Sequence, residues 1–396
     1  MKIRLIADKR IEIYIIIELL VVFFINFSTV ILNNRMLVSI FFNLSFIIFF
    51  ILFLEFINTY KKMSIWLILL ISLSIFSVIL SYSLSDINEF EISKLKYLIF
   101  FIVTNTFYYI LTKINITNKL YSFTIKISFF ILLTDLTSYY LLKNRETIAN
   151  GITLNFGNPN QTGLWISIIF MFGLIIYSKE VSKIKKFIIL VLSMLLIPII
   201  IKTLSRNAIL SILFLFLLIF YKKISHQKTF YKSSLIFVII LPCIFLISYL
   251  NLINSEFMKN FYFLVSEGKS LTSRLTVWNF GTEIFLNSPI IGSYIQVINY
   301  EYQHLHNVAI DICAKYGFLV YFIFVILNYK MISTINKKKI NKIQSLALCC
   351  LLVVFTQGVF EAGIYSGYCG LDYLIGGFII ISRGVSSKTL FREVVM

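Results

Sequence analysis

Uninterrupted runs of apolar residues recur along the whole of this 396-residue chain. An α-helix needs about 20 such residues to cross roughly 30 Å of hydrocarbon, and the runs have that length. Lipid offers no water to backbone polar groups, so only helices and closed barrels span it. The runs lack the alternation of barrel strands. With 59% hydrophobic residues and a mean hydropathy of +0.90, the sequence predicts an all-α fold, a polytopic helical membrane protein.

The runs divide the chain into about twelve predicted transmembrane helices, all within a single integral membrane domain that covers residues 1–396. These spans are 11–32, 36–58, 63–85, 92–112, 120–142, 161–178, 186–201, 207–221, 233–250, 306–329, 343–365 and 367–382. One connection is much longer and more polar than the others, and we interpret residues 251–305 as one large loop outside the membrane.

The distribution of Lys and Arg predicts which side of the membrane each loop occupies. If the first span begins in the cytoplasm and basic residues at the span ends are counted with the adjoining loops, 24 of the 36 fall on the cytoplasmic side, ten on the opposite side and two within spans. Basic residues collect in the cytoplasmic loops of membrane proteins. We therefore predict a multi-pass protein of the bacterial cytoplasmic (inner) membrane, with both termini in the cytoplasm and an extracytoplasmic loop at 251–305.

These loops also explain the formal net charge of +18, which therefore does not indicate a nucleic-acid partner. The five cysteines lie in or beside apolar spans at irregular spacing, as expected for small buried hydrophobic residues. The sequence contains no metal-ligand spacing, phosphate-binding glycine loop or nucleotide motif. We expect no metal and no cofactor.

Two arginines lie where the predicted topology faces the outer membrane surface. Arg206 is at the outer start of the eighth span, and Arg274 is in the large loop, four residues before Trp278. A guanidinium group presents a planar set of donors that suits phosphate oxygens, and it stays charged when partly desolvated. Each arginine is also compatible with a side chain that simply extends toward lipid headgroups or solvent.

The predicted tenth span begins with His306, and a histidine can act as a general base because its ordinary pKa lies near physiological pH. Asp311 and Lys315 follow four residues apart, so an ion pair on one helix face is the simpler interpretation of both. Glu361 lies in the eleventh span, and a carboxylate in lipid is costly enough to suggest a function. Two more acidic residues in predicted spans raise the same question: Asp135 and Asp372.

The turn Asn158-Pro159-Asn160 precedes the sixth predicted span. Proline disfavours helical angles in the residue before it, and asparagine is a favourable N-cap. We predict Asn160 as the N-cap of the helix that follows. The aromatic side chains around the large loop, Trp278 among them, fit either an interfacial belt or platforms for sugar rings.

Five short motifs resemble, in their order and spacing, the O-antigen polymerase/O-antigen ligase superfamily, the Wzy-type glycan polymerases and their ligase relatives. They are Asn158-Pro159-Asn160-Gln161-Thr162-Gly163, Thr203-Leu204-Ser205-Arg206-Asn207-Ala208, Arg274-Leu275-Thr276-Val277-Trp278, Ser288-Pro289-Ile290-Ile291-Gly292 and His306-Asn307-Val308-Ala309-Ile310, the last leading to Tyr316-Gly317. The chain departs from the family pattern at Asn207, where a glycine is frequent, and at Gly292-Ser293-Tyr294, where small residues are frequent.

The resemblance implies a GT-C-like enzyme that transfers a glycan from an undecaprenyl-diphosphate carrier to a sugar hydroxyl, on the outer face and without nucleotide or metal. Arg206 and Arg274 would bind the donor diphosphate. His306 would be the catalytic base, with Glu361 or Asp311 as the alternatives. Further expected substrate contacts are Asn158, Asn160, Trp278 and Asn307. The expected partners are the lipid-linked oligosaccharide, the bilayer and a chain-length regulator.

Three functions remain open at this point. The leading one is a polymerase of lipid-linked repeat units for O-antigen, capsule or exopolysaccharide. An O-antigen ligase, which moves finished glycan to an acceptor, would share the donor and the chemistry. A lipid-linked oligosaccharide flippase or other transporter also fits the span number, although transporters tend to show repeated halves and helices broken at the membrane midplane.

Overall fold

The computed structural model describes residues 2–60, 63–84, 92–143, 146–148, 151–156, 158–224, 230, 271–299, 305–336, 340–358 and 371–385. Its helices are α1 (Lys2–Val30), α2 (Arg35–Tyr60), α3 (Ile65–Ser83), α4 (Lys96–Lys113), α5 (Asn118–Leu136), α6 (Pro159–Lys179), α7 (Lys183–Met194), α8 (Leu196–Lys202), α9 (Arg206–Ile224), α10 (Leu271–Asn287), α11 (Tyr294–Asn299), α12 (Val308–Asn336), α13 (Lys342–Gln357) and α14 (Leu371–Arg383). A 3-10 turn (Ile92–Leu95) precedes α4, a π-helical turn (Thr137–Leu141) extends α5, and β1 (Thr147–Ile148) pairs antiparallel with β2 (Gly151–Ile152).

These elements confirm the predicted all-α polytopic fold. Within the described residues, eight segments are long and apolar enough to cross a membrane: Asp8–Val30, Arg35–Tyr60, Ile65–Ser83, Asn118–Leu141, Pro159–Lys179, Lys183–Lys202, Arg206–Ile224 and Val308–Ile335. The predicted span at 233–250, the end of the one at 343–365 and the start of the one at 367–382 lie outside the described residues.

At one end of the bundle, the ends of α2, α4 and α14 lie close to the start of α1. The Tyr60 hydroxyl, at the end of α2, donates to Asp8 Oδ1 at 2.7 Å, and Asn115 Nδ2, just after α4, donates to Asp8 Oδ2 at 2.9 Å. Arg383, at the end of α14, donates to the Ile114 carbonyl at 2.8 Å. We call this the N-terminal end. The predicted orientation would put it in the cytoplasm.

At the opposite end of the bundle, α1 and α5 finish beside the segment that leads into α6. Ser138 Oγ donates to the Val30 carbonyl at 2.8 Å. Asn155 Nδ2 donates to the Thr29 carbonyl at 3.3 Å. Because three of the five sequence motifs are at the starts of α6, α9 and α12, we call this the motif end.

The bundle is built around α6. In its most apolar stretch 78% of α6 is buried, against 17% for α9 and 22% for α2. It packs against α5, α7, α8, α9 and α13. Gly173 permits the close approach of α7, since a Cβ at that position would lie 2.2 Å from Ser193 Oγ. The exposed apolar faces of α2 and α9 are the surfaces expected to face lipid tails.

The predicted span at 186–201 is a single hydrophobic segment but not a single helix, because it breaks at Leu195 between α7 and α8. Pro198 is the physical cause: proline has no N–H, and its ring clashes with the carbonyl four residues earlier. The Leu195 carbonyl, at the break, accepts a hydrogen bond from the Tyr140 hydroxyl at 2.9 Å.

The predicted loop at 251–305 contains two helices in its described part, α10 and α11. Val277, Trp278 and Ile284 of α10 pack with Leu305 and Ile310 in a small core of their own. The segment was predicted as polar loop because charged and hydroxyl residues separate these apolar positions. Its helical arrangement follows from burial against α12.

Glycine at position 317 produces a sharp kink in α12. Its φ of 83° and ψ of 172° belong to a region open almost only to glycine. The kink frees the Ala314 carbonyl and the Phe318 N–H from the helix ladder. Ser293 donates its N–H to Ala314 at 2.7 Å, and Phe318 donates to the Pro289 carbonyl at 2.8 Å. The segment after α10 therefore replaces the lost hydrogen bonds of α12.

We predict that Gly317→Ala destabilises the protein strongly. An added Cβ would lie 2.0 Å from the Ile290 carbonyl oxygen, and the backbone conformation alone costs about 1–3 kcal/mol in other residues. The measurement is the thermal unfolding midpoint of the purified protein in detergent. Phe318→Ala is the matched control, because Phe318 is 50% exposed. Equal midpoints for the two variants would contradict the role of this hydrogen-bonded packing between the Gly317 kink and the segment after α10, which we call the interlock.

Candidate functional site

The first two motifs meet where α6 and α9 begin. A Cβ on Gly163 would lie 2.4 Å from the Ser205 Cβ and 2.9 Å from Thr203 Oγ1, so only glycine allows this approach. Ser205 Oγ accepts from the Ala208 N–H at 3.4 Å, near the start of α9. We call this contact between residues 158–163 and 203–208 the α6–α9 junction.

The N-cap of α6 is Asn158, and the prediction of Asn160 was wrong. Asn158 Oδ1 accepts from the Asn160 N–H at 2.8 Å, and Pro159 is the first helical residue. Proline is favourable there because its missing N–H would have no partner inside the helix. Both asparagine side chains are half-buried. Their predicted contact with substrate stays a prediction.

Arg206 is the first residue of α9 and its side chain is exposed at the motif end. Leu204, two residues earlier, has a positive φ of 55°, and this tight turn directs the chain from α8 into α9. The turn leaves Thr203 and Ser205 buried and Arg206 outside. An exposed cation beside a helix N-terminus can bind an anion.

The other three motifs meet around the start of α12. Trp278 is 4% exposed and lies in the core shared by α10 and α12. Gly281 allows the two helices to approach, since a Cβ there would lie 2.4 Å from a Leu305 methyl carbon. The Ser288–Gly292 motif packs at the Gly317 kink. We call this arrangement the α10–α12 junction.

His306 and Asn307 form the turn into α12. His306 has a positive φ of 50° and a half-buried side chain. Asn307 is 1% exposed, and its Oδ1 accepts from the Ile310 N–H at 3.0 Å, which is the geometry of an N-cap. The helix begins at Val308, two residues later than predicted. Asn307 therefore has a structural role, and its predicted substrate contact stays a prediction.

Asp311 and Lys315 form the ion pair that their spacing predicted. The Lys315 ammonium is 2.8 Å from Asp311 Oδ2, and the side chains are 3% and 14% exposed. Asp311 Oδ1 accepts from the Leu305 N–H at 3.1 Å. The Lys315 ammonium also lies 5.3 Å from the centre of the Tyr97 ring. Asp311 Oδ1 thus fixes the turn before α12, and Oδ2 holds the Lys315 ammonium inside the helix.

The end of α13 contacts both α12 and α6. The Gly358 carbonyl accepts from the Val308 N–H at 2.8 Å. Gln357 Nε2 donates to Ser167 Oγ, inside α6, at 3.2 Å. The end of α13 is therefore bonded to the start of α12 and to α6 about one turn beyond the α6–α9 junction. Glu361 is three residues farther along and lies outside the described residues, so its predicted role stays a prediction.

Arg274 lies on α10, one turn before Trp278, and its side chain is outside the described part of the structure. The structure thus brings together Trp278, Asn307 and Asp311 with the backbone of His306 at the α10–α12 junction. It places Asn158, Asn160 and Arg206 at the α6–α9 junction. Because Arg274 is on α10, its backbone belongs to the α10–α12 junction.

Three buried carboxylates lie deeper in the bundle, and each bonds to neutral donors. Asp135 accepts from Asn26 Nδ2 and from Trp165 Nε1, both at 3.0 Å. Asp372 accepts from Thr104 Oγ1 at 2.8 Å. Glu18 accepts from the Ser45 and Tyr373 hydroxyls. Sequence reasoning passed over Glu18, although a carboxylate within the apolar run 11–32 is the signal that finds it.

The fold defines a polytopic helical membrane protein whose motif residues lie at two junctions toward one end of the bundle. A family model described as O-antigen ligase, Wzy_C, matches residues 190–325. The match runs from α7 into α12 and includes Arg206, Arg274 and His306. It confirms the predicted resemblance to the O-antigen polymerase/ligase superfamily and supports a glycan-processing enzyme. No match was found among curated proteins or solved structures.

We predict that the Asp311–Lys315 pair acts as one structural unit. Lys315→Met leaves a partly buried carboxylate without its cation, which typically costs about 3–5 kcal/mol. Asp311→Asn leaves the more deeply buried ammonium without its anion. The double variant should be more stable than the sum of the single effects predicts. Thermal unfolding of all four proteins measures the coupling, and strictly additive effects would contradict the pair.

Proposed function

We propose that this protein is a glycosyltransferase that polymerises undecaprenyl-diphosphate-linked oligosaccharide repeat units on the outer face of the cytoplasmic membrane. The observation that carries the proposal is the end of α13, where Gly358 bonds to Val308 and Gln357 bonds to Ser167. These contacts join the α10–α12 junction to α6 about one turn from the α6–α9 junction, which supports a shared site for a diphosphate donor and a sugar acceptor. The family match supports the same class of enzyme.

Arg206 and Arg274 are the proposed ligands of the donor diphosphate. The leaving diphosphate gains negative charge as the anomeric bond breaks, and preorganised cations lower the barrier by stabilising that charge. Arg206 is exposed at the start of α9, where the helix dipole adds partial positive charge. A guanidinium can contact two phosphate oxygens at once, which a lysine ammonium does less well.

His306 is the proposed catalytic base, which would take the proton of the acceptor hydroxyl. Its half-buried side chain follows directly on the chain segment that Asp311 fixes. Asp311 is the weaker alternative, because its two oxygens already accept from Leu305 and Lys315. Glu361 remains the other alternative, since it follows Gly358 by three residues. No metal or nucleotide is part of this proposed mechanism.

An O-antigen ligase is the second proposed function, because the family model that matches is described by that activity. Donor binding and base would be the same, and only the acceptor would differ. For a polymerase, the further proposed partner is a protein that regulates chain length.

Deletion of the gene distinguishes the two activities, and we expect the polymerase outcome. Without a polymerase, surface glycan stops at a single repeat unit. Without a ligase, long chains accumulate on the lipid carrier. Gel separation of surface and carrier-linked glycans measures both.

A separate experiment with purified protein in liposomes tests whether the protein is an enzyme at all. Movement of lipid-linked sugar across the bilayer without any lengthening of the glycan would reject both enzyme activities.

We predict that Arg206→Ala, Arg274→Ala and His306→Ala each abolish chain extension at unchanged protein level. Loss of one group that stabilises developing charge typically lowers the rate about 10²–10³-fold. Arg206→Lys and Arg274→Lys should recover only part of the rate, since one point charge replaces a planar set of donors. Chain-length ladders and membrane protein levels are the measurements.

Arg35→Ala is the matched control for these variants. Arg35 is also exposed and is also the first residue of a helix at the motif end, but no motif includes it. It should keep the full glycan ladder. Normal ladders in both Arg206→Ala and Arg274→Ala would remove the proposed diphosphate site. A near-normal rate in His306→Ala would transfer the base role to Glu361 or Asp311.

A further inference from the structure

Lys126 is a basic residue inside a membrane span. From Asn118, where α5 begins, it lies about 12 Å along the helix at a rise of 1.5 Å per residue. Its side chain is exposed. The start of α5 belongs to the N-terminal end, where the Thr117 hydroxyl donates to Glu12 Oε1. A lysine at this depth extends its ammonium back along the helix toward the headgroups, because the charge is costly in hydrocarbon.

The ammonium group of Lys126 lies close to a second one, that of Lys179 at the end of α6, and the two positive charges repel each other. Lys179 Nζ is also 5.2 Å from the centre of the Tyr121 ring, in the first turn of α5. This cation–π contact holds the Lys179 cation beside α5 without removing its charge. Two like charges at the edge of hydrocarbon are unfavourable, and an anion between them turns the repulsion into two attractions.

Three more lysines follow at the start of α7, and with the first two they form what we call the α5–α7 basic patch: Lys126, Lys179, Lys183, Lys185 and Lys186. Lys186 Nζ is 4.9 Å from the centre of the Tyr177 ring of α6. Among the described residues, Glu180 is a carboxylate that lies near Lys179 and Lys185. Its Oε1 accepts from the backbone N–H groups of the two residues that follow it. One carboxylate does not balance five ammonium groups.

The surface next to the patch is apolar and exposed. α5 and α7 both pack on α6 and also contact each other. Phe130, one turn beyond Lys126 on the same face of α5, is 54% exposed, and Phe187 and Val191 on α7 are 67% and 41% exposed. Lys126 therefore lies at the boundary between a cationic surface and an apolar one. A phospholipid has the matching boundary between its phosphate and its acyl chains.

We propose that the α5–α7 basic patch binds an anionic phospholipid, with the phosphate between Lys126 and Lys179 and the acyl chains along Phe130 and α7. Clusters of about four to eight basic residues beside transmembrane helices on the cytoplasmic side are typical sites for anionic headgroups. The predicted orientation puts this end of the bundle in the cytoplasm. The site is independent of the proposed glycan chemistry, which belongs to the motif end.

The test uses the purified full chain in nanodiscs of phosphatidylcholine, alone and with phosphatidylglycerol. Native mass spectrometry counts the retained lipids, and thermal unfolding gives the midpoint. Wild-type protein should retain phosphatidylglycerol in preference to phosphatidylcholine, and its midpoint should rise with phosphatidylglycerol, because a ligand of the folded state stabilises that state. Lys126→Ala and Lys179→Ala should each weaken retention about fivefold, which is the usual contribution of one lysine near anionic lipid.

Lys119→Ala is the matched control. Lys119 is also an exposed lysine of α5, so the variant removes the same charge from the same end of the bundle. Lys119 lies near the Glu12 carboxylate, which balances its charge. The control should retain phosphatidylglycerol like wild type. Equal losses in Lys119→Ala and Lys126→Ala would overturn the site, because they would reflect only the general positive charge of this end. A wild-type protein without preference for phosphatidylglycerol would overturn it too.

A charge reversal tests the repulsion between the two lysines. Lys126→Glu places a carboxylate beside Lys179, so the chain itself supplies the anion. This variant should lose the retained phosphatidylglycerol and should unfold at a higher temperature than wild type in phosphatidylcholine alone. Retention at the wild-type level, or a lower midpoint in phosphatidylcholine, would overturn the pair as the binding site.

Inorganic phosphate distinguishes a lipid from a soluble anion as the occupant. It should leave the midpoint of wild-type protein in phosphatidylcholine unchanged, since it has no acyl chains to pack along Phe130 and α7. If inorganic phosphate raised that midpoint as much as phosphatidylglycerol does, the site would belong to a soluble anion and the lipid proposal would fail.

Discussion

The interlock at the Gly317 kink is the constraint on which the motif end depends. Inside hydrocarbon, a helix can be broken only where other groups bond to the freed backbone atoms. Here Ser293 and the Pro289 carbonyl bond to the atoms that Gly317 frees. The segment after α10 is thereby fixed to α12 by backbone hydrogen bonds. Its position depends on two glycines, Gly292 and Gly317, whose φ values are positive.

A short series of contacts connects this interlock to the proposed site. Fixing the segment after α10 sets the approach of α10 to α12, where Gly281 and Trp278 pack. The same packing holds the turn before α12, which Asp311 secures through the Leu305 N–H. The Val308 N–H, at the start of α12, then donates a hydrogen bond to the Gly358 carbonyl. Each step is a backbone contact or a buried pair, so the His306 turn has little freedom to move independently.

The polar groups of the bundle divide into two kinds. Glu18, Asp135 and Asp372 accept from hydroxyl, amide or indole donors and join helices in the interior. Such buried polar contacts between helices replace the hydrophobic driving force that lipid does not supply. Arg206 at the motif end is instead an exposed cation, and we propose it as a ligand of the donor diphosphate.

The sequence by itself determined the all-α polytopic fold class and the motifs that carry the family resemblance, because the length and polarity of a membrane helix are local properties. It also determined the Asp311–Lys315 pair, since i,i+4 spacing places the two on one helix face. It did not predict α10 and α11 as helices, the break at Leu195 or Asn158 as the N-cap. Only the tertiary structure decided which motifs are in contact. These contacts join residues far apart in the chain. They depend on close approaches at Gly163, Gly281 and Gly317 and on the hydrogen bond to the Gly358 carbonyl.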